Sequence, residues 1–418
     1  MLLALILAAQ ITNVADAADE KHPLEVDLEA GYVHARTQTK IARETTAGGG
    51  IQLNDELDHV RELDAVEMRL AVGLWHDLEL HAFATLAIRD QQSWSPTGSV
   101  STLASNTLNV SGCGGAGGCS TAQPILPLTG TTQRQGFFDP TVGIAWAPIN
   151  EEREMRLRPE LFPEGHAYAT WALGVDYTLP IGNRTDDPSR FGFNTPGGNG
   201  AESRKAHVIT AWTAFSKRYK VFEPYFKLSG SLPLAAKSAY DNCAHPELLS
   251  DVAVANCAGS WNGETGYKPP FEAGAVLGAE LVVADTGDQR FSFDLRGAMT
   301  WHGPSRGYNQ VSDALGKLTY ADEYLTTSGS VGLYGRVARW FHMRVYGMLS
   351  QDSAHFLTHE DIGEDKNGDG KVTISEGTGV AAPDQNPNYD FRVDQPGRRL
   401  RAEPALTWSV TGTLSLNF

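Results

Sequence analysis

Apolar and polar residues alternate with a period of two in about twelve separate stretches of this chain. The last stretch is the longest, from Gly397 to Phe418. Leu400, Ala402, Leu406, Trp408, Val410, Gly412, Leu414, Leu416 and Phe418 fall on one face. Arg399, Arg401, Glu403, Thr407, Ser409, Thr411, Thr413, Ser415 and Asn417 fall on the other. Such alternation predicts a β-strand with one apolar side. Earlier strands are predicted over 24–32, 63–75, 78–89, 141–147, 169–180, 206–216, 221–234, 271–283, 290–302, 325–337 and 341–351. Long polar connections (39–59, 90–136, 181–205, 235–269, 303–323, 352–396) trade places with short turns (76–77, 217–220, 284–289, 338–340). Only 148–166 breaks that rhythm. Val311, Leu315 and Leu318 have helical spacing within 303–323.

Long and short connections in turn predict an all-β fold: a transmembrane, antiparallel, up-and-down barrel of about 12 strands. A soluble sandwich does not account for that alternation. Composition agrees. Of the 418 residues 41% are hydrophobic, the mean hydropathy is -0.28, and no apolar run suits a membrane-spanning helix. Without such helices, only a closed barrel pairs every backbone group inside a bilayer. Half of each strand then faces a polar lumen, which explains the low hydropathy. The net charge of -16 argues against nucleic acid as a partner.

The closing strand, ending on Phe418, resembles the terminal strand of bacterial outer-membrane β-barrels. In that family the final aromatic is implied to be read by the barrel-assembly machinery. Leu416 departs slightly, standing where an aromatic is often found. Phrases such as GFFDPTVGIAW (136–146), WALGVDYTLPIG (171–182) and FEPYFKLSGSLP (222–233) look like those of outer-membrane proteins, channels for small hydrophobic molecules among them, a likeness that fixes no substrate. The resemblance implies a bacterial outer-membrane location in contact with lipid, long loops outside the cell and both termini in the periplasm. A run from Leu2 to Ala9 followed by Ala15-Asp16-Ala17 predicts a signal peptide at 1–17, with the barrel at 18–418. In an oxidising compartment, the short spacings predict disulfides Cys113–Cys119 and Cys243–Cys257.

One motif is sharp. Asp365, Asn367, Asp369, Lys371, Thr373 and Glu376 occupy the ligand positions of an EF-hand loop, with Gly370 at its sharp turn. Hard oxygen donors predict Ca²⁺ as the bound cofactor, within the extracellular connection 352–396. The sequence after Glu376 cannot continue a helix, so the loop resembles the isolated calcium loops of extracellular proteins.

The polar faces supply candidate lumen residues: Glu67, Arg69, His81, Arg89, Asp176, Glu280, Asp294, Arg296, Arg344, Arg401 and Glu403. No catalytic set stands out by spacing, and no enzyme is predicted. The expected function is a narrow channel for passive transport of small solutes. The alternative is a structural or adhesive surface barrel, a subunit of a larger envelope complex.

Overall fold

The computed structural model describes residues 11–15, 25–98, 130–151, 169–182, 199–200, 202–245, 249, 254–286, 289–338, 340–374 and 382–418. Twelve antiparallel strands close into one barrel. In chain order they are β1 (Val26–Ala47), β2 (Gly50–Trp75), β3 (Leu78–Pro96), β4 (Thr141–Ile149), β5 (Thr170–Thr178) and β6 (Ala206–Ser216). They continue as β7 (Phe222–Ala235), β8 (Glu272–Asp285), β9 (Arg290–His302), β10 (Tyr324–Ala338), β11 (Phe341–Asp352) and β12 (Ala405–Asn417).

β12 closes the sheet by pairing with β1, from Asp27↔Asn417 to Gln38↔Leu406. Val26 and Phe418 exchange both backbone hydrogen bonds, each 3.0 Å. The wall sorts residues by parity. Leu406, Trp408, Val410 and Leu414 are exposed on its outside, while Thr407, Ser409, Thr411, Thr413 and Ser415 are buried within. Leu277, Leu295, Val331 and Leu349 extend the exposed apolar belt onto β8–β11. A belt this continuous suits lipid, not water.

Several strands run further than their apolar alternation. Residues 39–59, expected as a loop, are mostly sheet. β1 and β2 continue to a tight turn at Gly48-Gly49, both with positive φ (60° and 85°). Past the lipid belt neither face needs to be apolar, so the period-two signal fades while the ladder goes on. The wall also has an interrupted strand. Gly130–Phe137 pairs with the upper part of β3, and β4 pairs with its lower part. Gly136 (φ 123°) sits near the end of the first piece, and Phe138-Asp139-Pro140 lie between the two.

At the end of the barrel with the long connections, those connections pack into a cap. Ile41, Leu57, Trp94, Val311, Leu357, Val393 and Leu400 form its core. The expected helix is a single turn, Ser312–Leu315, stopped by Gly316 at φ 70°. The closing strand is in two pieces. Leu400–Ala402 pairs with Ile41–Arg43, and β12 starts anew after Pro404. Ala402 and Ala405 are both buried, so the parity flips across Glu403-Pro404. Proline has no N–H for the ladder, which is why the break falls there.

Cys243 and Cys257 form the expected disulfide; Cys113 and Cys119 lie outside the described residues. The bridged loop clamps the last connection. Asn256 Nδ2 donates to the carbonyls of Ala382 (2.7 Å) and Gln385 (2.8 Å), and Trp261 Nε1 donates to that of Pro383 (3.1 Å). A bridge of this loop length contributes about 3 kcal/mol. Reduction should therefore speed tryptic cleavage at Lys366 and Lys371 several-fold while leaving the heat-dependent gel mobility of the barrel unchanged. Equal cleavage rates in both redox states would show that the bridge does not clamp this segment.

Candidate functional site

The lumen collects the polar side of every strand. Near the short turns its residues form one connected set. Glu79 is 2% exposed and accepts hydrogen bonds from Arg69 and from the Ala15 amide (2.7 Å). His81 lies 3.0 Å from Glu79 and 2.8 Å from Asp176. Asp176 also accepts from Trp212 Nε1 (3.0 Å), and Lys227 Nζ sits 4.3 Å from the Trp212 ring centre. His81 and Asp176 are two strands apart and meet over Gly143, which pairs with both. A Cβ on Gly143 would lie 2.2 Å from Asp176 Oδ1 and 2.4 Å from His81 Nε2. The gap left by that glycine makes the contact possible.

Residues 11–15 fill this end of the lumen. Ile11 packs with Ala214, Tyr225 and Val276, and Val14 with Ala145, Ala147 and Ala172. Thr12 Oγ1 lies 2.8 Å from Ser216 Oγ. The plug falls within the segment expected to be removed as a signal peptide; the lack of a Lys or Arg before the apolar run Leu2 to Ala9 left a buried N-terminal segment as the alternative.

Strands β7 to β11 carry further pairs. Tyr225 OH donates to Asp294 (2.5 Å), and Arg296 donates to Asp294 (3.0 Å) and to Tyr225 OH (3.1 Å). Glu280 accepts from Arg290 (2.9 Å) and Ser292. Arg344 Nη1 stands 3.9 Å from Glu29. The gap among Asp294, Arg296, Tyr334, Arg344 and Tyr346 is about 20 Å³. That holds about one water molecule and no larger solute.

Glu67, Arg69, His81, Asp176, Glu280, Asp294, Arg296 and Arg344 thus all face the lumen. Three expected lumen residues do not. Arg89 points outward to Asp64 (2.8 Å) and Glu62 (3.5 Å), beside Tyr32 and His34. A register shift between β2 and β3 inserts Ile88 as an extra residue and reverses the parity after it. Asp90 then turns inward, paired with Arg61 at 2.5 Å. Arg401 and Glu403 turn away from the buried Leu400 and Ala402 and pair with each other at 3.8 Å, a consequence of the parity flip before Pro404.

An acid–imidazole–hydroxyl row that sequence reading missed joins Glu272, His302 (2.9 Å) and Thr326 (3.0 Å). Such a row resembles the machinery of nucleophilic hydrolases. Thr326, however, donates its one proton to Asp352 (2.7 Å), so it is spoken for as a nucleophile.

In the last connection, Asp365 accepts from the amides of Gly368 and Gly370 (both 2.7 Å), and Gly370 takes φ 80°. Asp369 accepts from the Lys371 amide (2.9 Å), and Asn367 Nδ2 donates to Asp369 (3.1 Å). The turn is closed from outside the motif by Asp384, which accepts from the Lys366 and Thr373 amides (2.9 Å each). Those amides hold the Asp384 carboxyl below its ordinary pKa. Glu376, the expected bidentate ligand, lies outside the described residues. Among the described residues no group of three or more His, Cys, Asp or Glu side chains is arranged to hold a metal ion.

No family model and no curated protein matches the chain. Solved structures overlap it loosely. An outer-membrane channel from Pseudomonas putida F1 is 12% identical over 93% of this chain and 95% of its own, with a TM-score of 0.38. A FadL homologue from Pseudomonas aeruginosa is 10% identical over 94% and 90%, with a TM-score of 0.33. The outer-membrane protease OmpT of Escherichia coli is 8% identical over 94% and 96%, with a TM-score of 0.30. Likeness at this level carries no functional argument, so function must be reasoned from the residues of this chain.

Gly143→Ala should destabilise the barrel by about 1–3 kcal/mol, as expected for overpacking. Urea unfolding followed by tryptophan fluorescence measures it. In a His81→Ala background the penalty should shrink, because half the clash is gone. An undiminished penalty would mean that the glycine serves the backbone rather than the His81–Asp176 contact.

Proposed function

We propose that this chain is a narrow outer-membrane channel for passive transport of small solutes, with its long connections outside the cell and its termini in the periplasm. The observation that carries this reading is the plug at residues 11–15. It is a separate piece of chain inside a polar lumen, not part of the wall. Among the described residues its polar attachments run from Thr12 to Ser216 and from Ala15 to Glu79. A segment so lightly tied can be displaced without breaking any strand pairing. Retention of this segment in the mature protein is part of the proposal. Cleavage before Ala18 would remove it.

The packed cap favours a second reading, a surface barrel within a larger envelope assembly. There Arg306 pairs with both oxygens of the buried Glu360 and donates to the Glu264 carbonyl (2.6 Å). A cap braced in this way obstructs passage. Planar-bilayer recording decides between the two. Intact protein should show small, rare steps, and deletion of residues 11–15 should raise the conductance several-fold. Silence from both proteins would end the channel reading. The intact mass of protein taken from the outer membrane should still include Ile11 to Ala15.

We also propose that the Asp365–Glu376 loop takes a calcium ion that stiffens it. The described part of the loop has the required sharp turn at Gly370, and Asp365, Asn367, Asp369 and the Lys371 carbonyl would supply oxygen ligands, with Glu376 completing the set. Bound calcium would order an exposed loop and supply no chemistry. Calcium in the millimolar range should slow tryptic cleavage at Lys371, and Asp365→Asn should abolish that protection. Protection that survives the substitution would place the calcium elsewhere.

A further inference from the structure

We propose a binding site for a dehydrated monovalent cation on the lumen wall, with Glu67 as its charged ligand and the hydroxyls of β12 as its neutral ones. Glu67 is 2% exposed, and neither of its carboxyl oxygens has a hydrogen-bond partner. Every other acid in the lumen sets described above has a cationic or hydroxyl partner: Glu79 has Arg69, Glu280 has Arg290, and Asp294 has Arg296. An isolated buried carboxylate is costly, and a bound cation would offset that cost where the surrounding side chains do not.

The neighbours of Glu67 define the chemistry of that counter-charge. Gly31 pairs with Glu67 on one side and Thr413 on the other. A Cβ on Gly31 would lie 2.7 Å from Thr413 Cγ2, so the Thr413 side chain, methyl foremost, fills the space beside Glu67 that the glycine leaves. Thr413 Oγ1 and, one inward position along β12, Ser415 Oγ are buried without partners. So is Glu29 Oε1, whose companion oxygen faces Arg344 at 3.9 Å. This is a set of hard oxygens with neither thiol nor imidazole, which suits an alkali cation and not a soft metal. Charge sets the valence. Arg344 offsets Glu29, one negative charge remains on Glu67, and one positive charge balances it. Hydroxyl oxygens can replace the ion's hydration shell, as carbonyls do in selectivity filters.

The test is thermal unfolding of the full-length barrel in detergent, with KCl, NaCl or NH₄Cl exchanged for choline chloride at constant ionic strength. A ligand that binds only the folded state raises the melting temperature along a saturable curve. Wild type should show that rise with at least one of the small cations. Glu67→Gln should respond flatly, and in choline it should melt above wild type because the unbalanced charge is gone. Thr413→Val, which preserves side-chain shape and the charge at Glu67, should weaken the response and decides the matter if Glu67→Gln does not fold. A flat wild-type curve would mean that Glu67 is held as a neutral acid and would overturn the site. An identical rise in wild type and both variants would overturn it too. Because the readout needs no conduction, it stands or falls separately from the channel reading.

Discussion

Inside a bilayer no water is available to satisfy a backbone N–H or C=O, and this constraint governs the rest of the molecule. The pairing of β12 with β1 meets it by leaving the wall without an edge. A wall one residue thick then has no interior of its own. Each side chain goes to lipid or to the lumen, and parity alone decides which. The apolar half is spent on the outside. Most charges carried by the strands within the belt go inward, where they are packed against one another. That is why the lumen is laced with pairs such as Arg69–Glu79, Arg290–Glu280 and Arg296–Asp294. It is also why a glycine such as Gly143 matters. Where two partners stand two strands apart, the residue between them must give up its side chain.

Beyond the lipid belt the constraint relaxes, and the chain uses the freedom. β1 and β2 run on as a two-stranded extension, with Leu400–Ala402 added along its side. Stability there comes from the sources of a small soluble domain: an apolar core around Ile41 and Leu57, a disulfide, and ion pairs such as Arg399–Glu44 at 2.7 Å. Glu44 illustrates the balance. Burial opposes its charge, yet hydrogen bonds from Arg399 and the Gly397 amide hold its carboxyl below the ordinary value. Its contribution to stability is complete above the usual glutamate range and is lost as the pH falls through the lowered folded-state value.

The fold was legible wherever lipid imposed a period of two. β6 and β9 begin and end at the expected residues, 206–216 and 290–302. Legibility failed for two physical reasons. Where the strands leave lipid, polar residues occupy both faces, so 39–59 looked like a loop while its backbone kept pairing. Where parity shifts, a single residue changes the side of all that follow. The extra residue at Ile88 sent Arg89 outward, and Pro404 separated Arg401 and Glu403 from the inward face of β12. Proline is visible in a sequence, and that second break was there to be read. The bulge at Ile88 depends on the register of the neighbouring strand and leaves no local mark. The plug was hidden for another reason. Ile11 and Val14 are ordinary apolar residues whose burial depends on a cavity assembled from distant strands.

The lumen is therefore not uniform, and the difference between its walls bears on movement. Around Asp294, Arg296 and Tyr225 the polar groups satisfy one another, and displacing any of them breaks several bonds at once. That wall should be rigid. On β1, β2 and β12 the inward groups include Glu67, Thr413, Ser415 and Ser409 with partners still wanting. A group that lacks a partner loses nothing when its surroundings shift, and gains if the shift brings in water or an ion. Any widening of the lumen should therefore begin along the Glu67 side, beside the seam that closes the barrel.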